Sequence, residues 1–82
     1  TKLTFKDQHA LELLPGEIAA LEAEIVTLDE TLADAGLFAR DADAFNKAAA
    51  RLDGAKAELV AKEERWLELE EKREAIGQSR PD

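Results

Sequence analysis

Between Leu11 and Leu32 the apolar residues recur at spacings that alternate between three and four, which is the heptad pattern of a coiled-coil helix. The members of this apolar row are Leu11, Leu14, Ile18, Leu21, Ile25, Leu28 and Leu32. Many of the residues between them are acidic, so one stripe of the helix is apolar while the rest of its surface is strongly charged. Such a stripe requires a partner helix to cover it.

A second helical segment can supply that partner. One of its seam rows carries large side chains and the other is mostly small, a combination that suits close packing against Leu and Ile. The two rows are Phe45, Leu52, Leu59 and Trp66, and Ala48, Ala55, Lys62, Leu69 and Ile76. Lys62 interrupts an apolar row, but its aliphatic stem can lie along the seam while the ammonium group reaches solvent or an acidic residue of the first helix.

Local signals place the ends of the helices. Thr4 can cap the first helix, with Asp7 as the acidic half of a capping box. Gly36 is the residue best suited to a left-handed helix end, and Asp41 or Asp43 can cap the next helix. The sequence therefore predicts a turn between two helices.

Pro15 lies inside the heptad run, where it removes one backbone donor and restricts the preceding residue. Because the heptad phase continues past it, we expect a kink rather than a new helix. The predicted fold is all-α, a two-helix antiparallel coiled-coil hairpin in a single domain over residues 1–82. Its expected parts are a first helix at about 5–34, a turn at about 35–41, a second helix at about 42–76 and a flexible tail at 77–82.

Composition argues against several kinds of chemistry. The chain has no Cys and one His, so neither a thiolate zinc site nor an imidazole-rich metal site can be built. Its one Ser, Ser79, lies in the expected tail, and its four Gly are scattered without a following Gly-Lys-Ser/Thr, so neither a Ser/His/Asp arrangement nor a Walker-type phosphate loop is present. We expect no catalytic residue, no metal and no cofactor.

Two further features bear on location. No apolar run reaches the length of a membrane-spanning helix, and residues 1–6 lack the layout of a signal peptide. With the absence of Cys, this predicts a cytoplasmic protein that makes no membrane contact.

Charge is the most informative polar feature. The net charge of −8 disfavours non-specific binding to phosphates, because such binding depends on Lys and Arg. No Lys or Arg occurs from Asp7 to Ala39, and the cations follow: Arg40, Lys47, Arg51, Lys56, Lys62, Arg65, Lys72 and Arg73. These cations can neutralise acidic residues across the seam and on their own helix. Alternatively, the cations nearest the hairpin tip, which is the end of the molecule that carries the turn, form a small patch that binds a phosphate backbone. These cations are Arg40, Lys47 and Arg51.

Five segments together resemble one known family, the carboxy-terminal domain of Uup-type ABC-F ATPases. They are KLTFKDQ (2–8), LELLP (11–15), IAALEAEI (18–25), LFARD (37–41) and ERWLELE (64–70). The resemblance implies a parent protein with two tandem ATP-binding cassettes and no transmembrane segment. It also implies action in the cytoplasm on nucleic-acid-containing targets such as the ribosome, and a carboxy-terminal coiled coil regarded as DNA-binding in the Uup branch.

Two functional hypotheses follow. In the first, the chain is a non-catalytic coiled-coil arm of an ABC-F type ATPase that contacts DNA or ribosomal RNA through Arg40, Lys47, Arg51 and Lys56. This hypothesis predicts salt-sensitive binding that is lost on charge reversal. In the second, the arm is structural and docks on the parent ATP-binding cassettes or on the ribosome, with its acidic first helix facing a basic partner. The second predicts no DNA affinity.

Overall fold

Three helices follow one another in a computed structural model that describes residues 3–78. They are α1 (Phe5–Leu32), α2 (Leu37–Arg40) and α3 (Ala42–Gln78), and no strand occurs within this range. The all-α prediction is therefore confirmed. The molecule extends over 65 × 17 × 14 Å, so it is a rod whose length is set by α1 and α3.

Both predicted N-terminal caps are confirmed. Thr4 Oγ1 accepts the backbone N–H of Asp7 at 3.0 Å, and the Asp7 carboxylate accepts the backbone N–H of Thr4, so the capping box is complete. Asp41 Oδ1 accepts the backbone N–H of Ala44 at 3.0 Å, which makes Asp41 the cap of α3. Each cap gives a backbone donor of the first helical turn a partner.

The bounds of the long helices differ slightly from those expected. α1 ends at Leu32 rather than near 34, and α3 continues to Gln78 rather than ending near 76. Residues 77 and 78 of the expected flexible tail are thus helical, while 79–82 lie outside the described residues. The segment expected to be a turn contains α2, a third helix of four residues.

Gly36 does not adopt the predicted left-handed conformation, because its φ is −90° and its ψ is −7°. Instead, the Asp34 carboxylate accepts the backbone N–H of Gly36 at 3.0 Å and a guanidinium N–H of Arg40 at 2.7 Å. A Cβ atom at Gly36 would lie 2.7 Å from the Arg40 guanidinium. A side chain at this position would therefore displace only the end of the flexible Arg40 side chain, and the backbone angles do not require glycine.

α1 and α3 lie side by side and run in opposite directions, since Asp7 near the start of α1 meets Lys72 while Glu24 meets Arg51. The buried apolar residues all belong to the predicted seam rows; they are Leu14, Leu21, Ala48, Leu52, Ala55 and Leu69. The other predicted seam positions are half-buried. α1 continues through Pro15, and the kink at that residue stays a prediction.

The tip of the rod is covered by α2 only in part. Leu37 is half-buried, whereas Phe38 is 57 % exposed and contacts Phe45 edge-on, with ring centroids 5.3 Å apart. Edge-to-face contact of this kind is a favoured aromatic arrangement. The four-residue helix thus rests on the start of α3 and leaves apolar surface at the tip.

Candidate interaction surface

Ion pairs between the long helices join them along one edge of the rod. Arg51 donates two N–H groups to the Glu24 carboxylate at 2.5 and 2.6 Å, and the Lys62 ammonium donates to Glu17 at 3.1 Å. Glu17 and Glu24 are seven residues apart, so they project from the same side of α1. We call these four residues, Glu17, Glu24, Arg51 and Lys62, the ionic edge. Of the two environments expected for the Lys62 ammonium, solvent or an acidic residue of the first helix, the structure shows the acidic residue.

Asp7 joins the same two helices near the end of the rod opposite the tip. Its side chain is buried, and its carboxylate accepts Lys72 Nζ at 2.8 Å and an Arg65 guanidinium N–H at 3.1 Å. The hydrogen bond from Lys72 holds the Asp7 pKa below its ordinary value, and the bonds from Thr4 act in the same direction, while burial opposes them. Asp7 is thus both a helix cap and a cross-helix clamp.

The cross-helix role of Asp7 was missed from the sequence, where this residue was assigned only to the capping box. A signal was present, because Asp7 lies seven residues before Leu14 and so continues the row of Leu14 and Leu21. A carboxylate at a seam position needs cationic partners from the facing helix. Arg65 and Lys72 of α3 are these cationic partners.

The four basic residues predicted as a nucleic-acid site have different environments. Arg40 is paired with Asp34 at 2.7 Å, and Arg51 is paired with Glu24 and also with Glu58 at 3.3 Å. In residues 3–78, no ion pair involves Lys47 or Lys56, which are nine residues apart and therefore about half a turn apart around α3. The four side chains are not assembled into one unpaired cationic patch.

The shifted pKa values reflect these contacts. The hydrogen bonds from Arg51 lower the Glu24 pKa, and the hydrogen bond from Arg40 lowers the Asp34 pKa, with the Gly36 backbone N–H adding to the effect. The hydrogen bond to Glu24 in turn raises the Arg51 pKa. All three groups are therefore charged and paired at neutral pH.

The other side of the seam is open and largely apolar. Pro15 and Ile18 of α1 face Trp66 and Leu67 of α3 across a groove of about 380 Å³, with Glu63 at its rim. We call these five residues the Trp66 groove. Trp66 is half-buried, as its predicted seam position requires, whereas Leu67 is 52 % exposed.

A second exposed apolar residue of α3 lies on the side of the helix that carries Leu67. Val60 is 53 % exposed and lies seven residues before Leu67, so the two side chains project from the same side of the helix. Glu63 and Glu64 lie between these two residues along the helix, so Val60 is a separate exposed apolar residue rather than part of the groove. The rod thus has one edge closed by ion pairs and one side with an apolar groove.

The described part of the chain offers no cluster for metal chemistry. Among residues 3–78, no group of three or more Asp, Glu or His side chains is arranged to hold a metal ion. Over the same range, no helix is both long enough and apolar enough to cross a membrane. The two distinctive features are therefore the ionic edge and the Trp66 groove.

Comparison with known proteins identifies the family. The profile of the ABC transporter C-terminal domain matches residues 2–71. The chain is 48 % identical over 75 residues to the ATP-binding protein Uup of Caulobacter vibrioides, which covers 92 % of this chain and 12 % of that protein. It is 39 % identical over 72 residues to a Uup-like ATP-binding protein of Haemophilus influenzae, covering 88 % of this chain and 16 % of that protein.

A further relative is the Uup protein of Escherichia coli, 37 % identical over 70 residues, with 85 % of this chain and 11 % of that protein covered. The chain thus spans between 11 % and 16 % of the length of these relatives. No solved structure matches it. Since the family profile covers most of the sequence, the chain belongs to the ABC transporter C-terminal domain family, of the type found in Uup ATP-binding proteins.

Proposed function

We propose that this chain is a non-catalytic coiled-coil arm of an ABC-F type ATPase in the cytoplasm, and that it docks on the ATP-binding domains of its parent protein. In this proposal α1 and α3 form a two-helix antiparallel coiled-coil hairpin, bent at Pro15, with α2 at its tip. The relatives are named ATP-binding proteins, and the chain corresponds to a small share of their length. In this proposal the ATP-binding domains of the parent protein supply the partner surface for the arm.

The observation that carries the docking proposal is the difference between the two sides of the seam. Arg51 and Lys62 are held by Glu24 and Glu17, so these cations already have intramolecular partners. On the opposite side, Trp66 and Leu67 leave apolar surface open to a partner. A net charge of −8 further favours a protein surface over a phosphate backbone.

The test is a calorimetric titration of the chain into the tandem ATP-binding domains of a Uup protein, prepared without their own C-terminal domain. We expect saturable binding that persists at high salt, because burial of apolar surface is insensitive to ionic screening. The catalytic activity of the chain alone should be nil in an ATP hydrolysis assay. Absence of binding to the ATP-binding domains at low and high salt would contradict the docking proposal.

Nucleic-acid contact is the second candidate, and one observation favours it. Lys47, near the tip, has no ion pair within residues 3–78, and the paired Arg40 has a side chain that is 61 % exposed. Both could reach a phosphate backbone of DNA or ribosomal RNA. In this candidate Arg51 adds further charge, whereas Lys56 lies on the opposite side of α3 from Lys47 and is not required.

A salt titration with fluorescent duplex DNA and structured RNA tests this candidate. Lys47→Glu is the informative variant and Lys56→Glu is its matched control, because neither lysine has an ion pair in the described part of the chain and the two lie on opposite sides of α3. Binding at low salt that falls steeply with salt and disappears in Lys47→Glu alone would favour the tip as the site. Absence of binding to DNA and RNA at low salt would exclude nucleic-acid contact, and docking on the ATP-binding domains would then be the one remaining candidate.

A further inference from the structure

We propose that the Trp66 groove binds a segment of a partner protein that presents one large apolar side chain flanked by Lys or Arg. This inference rests on the docking role proposed above and specifies where the partner sits and what its chemistry is. The groove is formed by both long helices, with Pro15 and Ile18 from α1 and Trp66 and Leu67 from α3. A ligand there would contact both helices at once.

The apolar lining defines the first half of the partner's chemistry. The groove volume of about 380 Å³ is open to solvent and large enough for one bulky side chain. Leu67 is 52 % exposed and Val60 is 53 % exposed on the same side, so apolar area is available to be buried. Desolvation of a central aromatic and its apolar neighbours is the usual source of interface energy.

The acidic residues near the groove define the second half of the partner's chemistry, its positive charge. Glu63 lines the groove, and Glu22 lies seven residues after Pro15 on the same side of α1. Neither carboxylate takes part in an ion pair within residues 3–78. One cation, Lys56, lies on this side seven residues before Glu63, two turns nearer the tip. Cations that flank the bound apolar side chain would therefore meet unpaired carboxylates near the groove.

Charge also argues against other occupants. Two copies of a chain with a net charge of −8 repel each other, and nucleic acids and anionic membranes are repelled in the same way. A basic protein segment is attracted at long range and then held by apolar contact. Electrostatic complementarity of this kind raises the association rate and discriminates against wrong partners.

The groove carries its own reporter, because Trp66 is the single Trp of the chain. The probe is a synthetic amphipathic helical peptide made of Leu and Lys, titrated into the 82-residue chain while Trp66 fluorescence is recorded. We expect a shift of the emission to shorter wavelength, since binding removes water from the indole. A peptide of the same pattern with Glu in place of Lys should bind at least about tenfold more weakly, since like charges would then face each other.

Leu67→Lys and Leu13→Lys form a matched pair of variants. The two leucines are 52 % and 48 % exposed, both substitutions add one positive charge, and Leu13 lies on the far side of α1 from Pro15. We expect Leu67→Lys to weaken peptide binding roughly tenfold or more, as for removal of a central apolar anchor, and Leu13→Lys to change it by no more than about twofold.

Four results would overturn this inference. Equal weakening by the two leucine variants would show that the peptide responds only to net charge. Equal affinity for the Lys and Glu peptides would show that the groove does not select a partner with Lys or Arg beside its apolar side chain. Sedimentation showing a dimer of the chain that Leu67→Lys dissociates would make a second copy the occupant. If the peptide fails while the ATP-binding domains still bind in calorimetry, the docking role survives with its surface elsewhere.

Discussion

Replacement of Leu69 by Ala tests the seam packing most directly, and replacement of Leu67 is its natural control. Both leucines lie in α3 two residues apart, so the change in helix propensity is the same, but Leu69 is 1 % exposed and Leu67 is 52 % exposed. For a fully buried leucine, the lost transfer free energy and the cavity together cost about 2–5 kcal/mol. For a half-exposed leucine with no cavity, we expect roughly 1 kcal/mol or less.

A loss of about 3 kcal/mol is a large part of the stability of a small domain, and it corresponds to a decrease in Tm of roughly 12–24 °C at this size. The assay is thermal and urea unfolding followed by circular dichroism at the helix band, on the wild type and both variants. We expect the free energy of unfolding to fall steeply in Leu69→Ala and slightly in Leu67→Ala. Equal losses in the two variants would refute the assignment of Leu69 to the seam and Leu67 to the surface.

Three further predictions concern stability. The Asp7 pKa in the folded protein lies below its ordinary value of 3.8, chiefly because of the hydrogen bond from Lys72. The stability that Asp7 contributes is therefore present above pH 3.8 and is lost as the pH falls through the folded-state pKa. Stability should fall more steeply with acid in the wild type than in Asp7→Asn, as measured by acid unfolding curves. Gly54→Ala should raise the unfolding free energy by about 1 kcal/mol in urea titrations, because a Cβ there meets nothing within 4 Å. Pro15→Ala should raise the unfolding free energy by up to about 3 kcal/mol in urea titrations, because alanine restores the backbone N–H that proline lacks inside α1. No gain in stability would show that the structure around Pro15 already compensates for the missing backbone hydrogen bond.

Much of the fold follows from periodicity and capping chemistry. The heptad rows identified Leu14, Leu21, Leu52 and Leu69 as seam residues because burial in a helix pair repeats every three or four residues. The cap formed by Thr4 was predictable because hydroxyl and carboxylate side chains satisfy the free donors of a first helical turn. These signals are local, so one sequence is enough to reveal them.

α2 depends on contacts that periodicity does not encode. The helix spans four residues, and its start is fixed by the bonds of Asp34 to the backbone of Gly36 and to the Arg40 side chain. Gly36 was expected to be left-handed because glycine commonly ends helices that way. Here the Asp34 carboxylate takes the Gly36 N–H, and the backbone stays right-handed.

The site was less predictable than the fold because it depends on the register of α1 against α3. A heptad pattern tells which side of each helix faces the other but not which turn of α1 lies opposite which turn of α3. That register sets Arg51 against Glu24 and brings Pro15 to Trp66. The ion pairing of Arg51 and the existence of the Trp66 groove could therefore not be read from spacing alone.

The central claim, that the open side of the seam is the docking surface, can be tested by backbone amide NMR of the labelled chain on addition of the Uup ATP-binding domains. We predict that the largest chemical-shift changes occur at Ile18, Trp66, Leu67 and the neighbours of Pro15, which itself has no amide N–H, with little change at the ionic edge. Changes confined to the tip around Lys47, or spread evenly along the rod, would contradict it.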